Sequence, residues 1–169
     1  FRRVLFRSAE AHHHPHRGGL AGAVGADEAG DPAGGQLQAD DIQAALSALV
    51  RQSWVDPDRI IVAGQSYGGL ATLAFGTRHF PGVRGMLNFA GGLRIDGGSC
   101  NWQEALMTAF SDYAGKTMLP SVWFYGANDS YFNSALASKL AQAYQSAGGH
   151  AQLVAFGNFK SDAHGLAGS

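Results

Sequence analysis

The stretch RIIVAGQSYGGLATLAFG, residues 59–76, sets one polar side chain, Ser66, between two apolar runs, with a glycine two positions to either side. The first run is short, continuous and β-branched, the pattern of a strand buried on both faces of a parallel sheet. The second reads as a helix packed close to that sheet. Gly64-Gln65-Ser66-Tyr67-Gly68 therefore matches G-x-S-x-G in a strand-to-helix context, where a sharp turn lifts the middle side chain out at the sheet's C-terminal edge. Side chains at Gly64 and Gly68 would strike neighbouring backbone, and Gly69 extends the small surface. The same turn aims the helix N-terminus and the Tyr67 amide at a developing oxyanion. The alternative is a glycine-rich connection in which Ser66 merely caps the helix.

The rest of the chain continues the alternation. QADDIQAALSALVRQSWV places Ile42, Ala45, Leu46, Leu49 and Val50 on one helical face, with Asp40 and Asp41 near its start. VDPDR breaks that helix at Pro57. After the elbow come a strand in GVRGMLNFAGG, a helix in NWQEALMTAFSDYAG, a strand in PSVWFYGAND, a helix in NSALASKLAQAYQSAGG and a strand in HAQLVAFG. These βαβ lengths predict an α/β fold: an open, mostly parallel sheet with helices on both faces.

A serine hydroxyl needs an oriented base to become a nucleophile. In this architecture the base and its acid follow the serine in the order Ser, Asp or Glu, His, each on a loop after a later strand. Asp129 directly follows the strand SVWFYG, and His164 lies in the loop NFKSDAHGL after the last strand. The predicted site is therefore Ser66, Asp129 and His164, with Tyr67 N–H in the oxyanion hole and Gly64, Gln65 and Gly68 forming the elbow. Asp96, after the second strand, is the rival acid. Asp162 lies too near His164 to occupy a separate strand end and reads as a solvated loop residue. His79 and His150 fall at the far end of the sheet, and Cys100 lies outside any motif. Asn128-Asp129-Ser130 is also ordinary turn chemistry, which leaves Asp129 a purely structural reading.

Length and composition bound what else the chain can be. It has 169 residues, enough for one domain, with 46% hydrophobic residues, 15% charged residues and a formal net charge of −1. Nothing in that balance points to nucleic acid or an anionic membrane, and no run approaches the length of a membrane span. The single cysteine leaves the redox compartment open, and the sequence assigns neither a localisation nor an oligomeric state. The expected partner is a small-molecule ester or a peptide substrate. Nothing calls for a metal or an organic cofactor.

Two N-terminal stretches read differently. FRRVLFRS, residues 1–8, back-translates as TTC AGA CGT GTG CTC TTC CGA TCT, which resembles the end of a short-read sequencing adapter, and is expected to be translated library DNA. Coding sequence continuing upstream in the parent contig would overturn that expectation. Residues 9–36 show no helical or strand period and are expected to be disordered or out of frame. Their His12, His13, His14 and His16 lack the cysteine or spaced acidic partners of a metal site. Residues 37–169 form the expected folded unit.

Together, DDIQAALSALVRQSWVDPDRIIVAGQSYGGLATLA, SVWFYGANDSYF and KSDAHGL resemble the dienelactone hydrolase-like branch of the α/β-hydrolase superfamily, over roughly residues 37–166. The resemblance implies a nucleophile at Ser66, an acid at Asp129 and a base at His164. Dienelactone hydrolases carry cysteine at the elbow. Serine here favours the wider group of serine esterases and peptidases, among which prolyl-oligopeptidase-like enzymes share a similar SYGG elbow. That family also has several strands before the elbow and a final helix after the histidine. The chain accordingly reads as the C-terminal part of such a domain, truncated at both ends. By itself it is expected to be poorly soluble and nearly inactive, and a non-catalytic remnant is the reading from a different class. Substrate selection is expected from the segment Cys100–Ala114, with Trp102 and Phe110 either candidate pocket walls or simply core.

Overall fold

The computed structural model describes residues 4–5, 32–95 and 101–168. A parallel sheet runs through β1 (Val4–Leu5), β2 (Ile60–Gln65), β3 (Val83–Phe89), β4 (Ser121–Gly126) and β5 (Ala151–Phe156), in that spatial order. The helices are α1 (Pro32–Leu49), α2 (Tyr67–Phe75), α3 (Trp102–Ala114) and α4 (Ser134–Ser146). Short 3-10 turns occupy Gly76–Arg78 and Ala163–Gly168.

Register assigns the two faces of the sheet. Val62, Met86, Ser121 and Ala151 stand in one row, and Gly64, Asn88, Trp123 and Leu153 in the next row on the same face. The helices pack against this face. Trp123 meets Phe110 of α3 and Tyr144 of α4 edge-on, at 5.2 and 5.0 Å between ring centroids. Met86 lies under Gly76 at the end of α2. Of the two predicted pocket walls, Phe110 is therefore core: it is fully buried against Trp123. Periodicity gave its helical face but not what that face would meet.

The opposite face carries Leu87, Phe89, Val122, Phe124, Val154 and Phe156, all half-buried, with Phe89 and Phe124 stacked at 5.0 Å. The 3-10 turn at Ala163 approaches this face at Gly126. The expected helices on both faces thus differ from what is found among the described residues, where α2, α3 and α4 share one face. The strand order gives the reason. Each strand pairs with its neighbour in the chain, and right-handed crossovers that always step the same way lay every helix on the same side. A helix reaches the other side only where the strand order reverses.

Two N-terminal features also differ from expectation. The helix predicted from about residue 37 begins at Pro32, a residue well suited to a first helical turn. Its Gly35 lies close against α3: a Cβ there would sit 2.6 Å from the Tyr113 hydroxyl, which would have to shift. Val4 and Leu5, within the adapter-like segment, pair in parallel with Val62 and Ala63 of β2. An open strand edge accepts any extended pair of residues, so this pairing is independent of where the segment came from. The four N-terminal histidines, Asp96 and Cys100 lie outside the described residues. No helix among the described residues is long and apolar enough to cross a membrane.

Candidate active site

Ser66 sits between β2 and α2 with φ 54° and ψ −125°, a conformation that a residue with a Cβ adopts only under strain. The elbow is held on all sides. Ser66 N–H donates to Phe89 O at 3.0 Å, and its carbonyl accepts from Gly69, Leu70 and Gly92 N–H at 2.9, 3.2 and 3.0 Å. A Cβ at Gly64 would run into the Gly68 carbonyl, and one at Gly69 would lie 2.5 Å from Asn88 Oδ1 and 2.6 Å from Gly91 Cα. Small residues are obligatory at both positions. The Ser66 side chain makes no capping hydrogen bond to the helix, so the capping alternative does not describe it. Replacing Ser66 with glycine is expected to raise stability by about 1 kcal/mol, since relief of about 1–3 kcal/mol of strain exceeds glycine's entropy cost of roughly 0.5–1 kcal/mol. The denaturant midpoint measures it.

The hydroxyl points at the late loop instead. Ser66 Oγ lies 3.0 Å from His164 Nε2, and His164 Nδ1 lies 3.3 Å from Asp129 Oδ2. Asp129 and His164 are both buried, at 6% and 8% exposure, so bulk water does not compete for their contact. The turn after β4 orients the acid: Asp129 Oδ1 accepts N–H bonds from Tyr131 and Phe132, each at 2.8 Å. The turn chemistry of this segment and its contact with the histidine are thus two uses of one carboxylate, one oxygen for each.

Several neighbours escaped sequence reasoning. The Tyr131 ring lies 4.3 Å from the imidazole at an interplanar angle of 30°, and Phe132 lies 5.6 Å from it. Trp102, which the sequence did name as a candidate pocket wall, is half-buried and meets Phe132 edge-on at 6.3 Å, one ring away from the histidine. Asn128 ties the acid turn to the late loop, accepting from Phe159 N–H at 2.9 Å and donating to Lys160 O at 3.2 Å. Asp162 does the same beside His164, and the Ser130 hydroxyl holds its carboxyl below the ordinary range. It is therefore a bridge between loops, where the sequence suggested a solvated residue. The only advance signal was an Asn-Asp-Ser and a Ser-Asp pair in two loops due to meet. His79 and His150 are exposed on connections entering β3 and β5, at the sheet edge away from Ser66.

Beneath the elbow, Tyr125 of β4 donates its hydroxyl to Gly91 O at 2.5 Å and accepts from Asn88 Nδ2 at 3.4 Å. Burial pushes this phenol well above its ordinary range, so it stays a neutral donor. The link matters because the next residue, Gly92, holds the Ser66 carbonyl. Tyr125→Phe would leave the Gly91 carbonyl buried and unpaired, and is expected to cost about 1–3 kcal/mol, read from urea unfolding.

Solved structures share this arrangement of strands and helices. A Klebsiella pneumoniae structure assigned as a dienelactone hydrolase aligns with a TM-score of 0.53 at 21% identity, over 70% of this chain and 46% of its own. The Mycobacterium tuberculosis puromycin-hydrolyzing peptidase aligns at 0.55 and 20%, over 77% and 24%. Est1E from Butyrivibrio proteoclasticus, solved with ferulic acid bound, aligns at 0.52 and 15%, over 70% and 57%.

The fold is that of the α/β-hydrolases.

The chain spans between about a quarter and just over half the length of these three proteins. A sequence model of the prolyl oligopeptidase family, Peptidase_S9, matches residues 26–82, about a third of the chain and inclusive of the elbow. Among curated proteins, no sequence matches it.

Proposed function

We propose that this protein, with its α/β-hydrolase fold, is a serine hydrolase that cleaves an ester or amide carbonyl through an acyl-enzyme. One observation carries the reading: the continuous contact from Ser66 Oγ through the His164 ring to Asp129 Oδ2, at 3.0 and 3.3 Å, with Ser66 at a strained elbow. In the first step Ser66 Oγ attacks the carbonyl carbon while His164 Nε2 takes the hydroxyl proton. His164 then returns that proton to the leaving group. Water repeats the sequence on the acyl-enzyme to free the acid. Asp129 holds Nδ1–H and stabilises the imidazolium without taking its proton. The Tyr67 amide, at the N-terminus of α2, is the oxyanion donor.

A peptidase of the prolyl-oligopeptidase type is the second reading, favoured by the family match across the elbow. The two differ in the leaving group. The product of the complete gene is assayed with a p-nitrophenyl ester and with a proline p-nitroanilide, after labelling with a fluorophosphonate. Adduct formation at Ser66 with ester turnover supports the esterase reading, and preferential anilide turnover supports the peptidase. An adduct on a different residue would sink both.

A further inference from the structure

His164 sits in a 3-10 turn with no strand of its own to fix its Cα, yet its ring must meet two partners at once. Its main chain is held from both sides. His164 N–H donates to Asp162 Oδ1 at 2.9 Å, and its carbonyl accepts from Gln65 Nε2 at 2.6 Å. Asp162 reaches on to the acid turn, where Oδ1 accepts from Ser130 N–H at 3.1 Å and Oδ2 from the Ser130 hydroxyl at 2.6 Å. Gln65 is the last residue of β2, immediately before the nucleophile. The His164 peptide is therefore tied on its donor side to the turn bearing Asp129 and on its acceptor side to the strand bearing Ser66.

We propose that Gln65 and Asp162 are positioning residues that set the His164 imidazole against Ser66 and Asp129. This rests on the serine-hydrolase reading above, because the two residues act through the histidine and touch no reacting atom. They work with opposite hydrogen-bond polarity. Asp162 must only accept, from two N–H groups and one hydroxyl. Gln65 must donate, because its partner is a carbonyl oxygen that cannot.

That polarity supplies a test which a space-filling role would not pass. Asp162→Ala, Asp162→Asn, Gln65→Glu and Gln65→Met are made in the product of the complete gene, with Ser66→Ala beside them. Each is assayed for kcat and KM on a p-nitrophenyl ester and for its unfolding temperature. Asp162→Ala and Gln65→Glu are expected to lower kcat by about 10- to 100-fold with KM within about twofold, as displacement of a catalytic group by about an ångström does. Asp162→Asn recovers most of the loss, because its amide oxygen still accepts both N–H groups and the Ser130 hydroxyl turns to accept from its NH2. Gln65→Met fails alongside Gln65→Glu although it fills the same space. Gln65→Glu and Asp162→Asn keep the shape of the parent residues, so they decide the matter even if Asp162→Ala does not fold. Full kcat in Gln65→Glu, or equal losses in folded Asp162→Asn and Asp162→Ala, overturns the positioning role while an inactive Ser66→Ala leaves the hydrolase reading standing. Activity surviving in Ser66→Ala overturns both.

Discussion

Ser66→Ala is expected to lower kcat for ester hydrolysis by about 10⁶-fold, the loss that follows when a triad nucleophile is removed. Labelling by a fluorophosphonate should vanish with it, and mass spectrometry of the labelled parent should place the adduct on the peptide that contains Ser66. The substitution is a clean one. Alanine keeps the Cβ, so the strained backbone at φ 54° remains, and the Ser66 main-chain hydrogen bonds that hold the elbow stay in place; only the Oγ contact with His164 is lost. Stability should therefore change little, in contrast to Ser66→Gly, where the strain goes too. A variant that keeps its fold and keeps more than a hundredth of the parent's kcat would mean that a different group attacks the substrate.

The second large effect belongs to Asp129→Asn, expected to cost about 10⁴-fold in kcat with the fold intact. The direction of the new amide is fixed by the turn. Oδ1 accepts N–H bonds from Tyr131 and Phe132, so asparagine must keep its oxygen there and present its NH2 to His164 Nδ1. The imidazole answers by taking the tautomer with its proton on Nε2, and a protonated Nε2 cannot accept the Ser66 proton. Steady-state kinetics beside a urea melt separate this from unfolding. Near-parental kcat with unchanged stability would show that Asp129 serves the turn alone.

The strand–elbow–helix unit could be read from sequence because its signals are local: a β-branched run, glycines where a Cβ would collide, and a helix-forming run after them. The order Ser66, Asp129, His164 was legible for a topological reason, since parallel strands deliver their C-terminal loops to one edge. What was missed depends on partners distant in the chain. Gln65 and Asp162 look like an elbow spacer and a loop acid until residues 99 and 32 positions away are brought beside them. The sequence left Phe110 between a pocket wall and the core, because a helix's apolar stripe does not say what it will face; it lies in the core. The early start of α1 was missed for a similar reason: glycine lowers helix propensity, and the Tyr113 hydroxyl that Gly35 packs beneath lies on another helix.

The sequential order of the sheet has a consequence for how the chain is made. Each pairing from β2 to β5 closes over a single βα unit, so the sheet can be laid down in the order in which it leaves the ribosome. The Ser66–His164 contact, in contrast, spans 98 residues. A nascent chain can fold its elbow and most of its sheet long before His164 has been translated. On the proposed serine-hydrolase reading, competence to attack a carbonyl then arrives with the loop that carries His164, and until that moment the ribosome carries a scaffold whose serine lacks its proton acceptor.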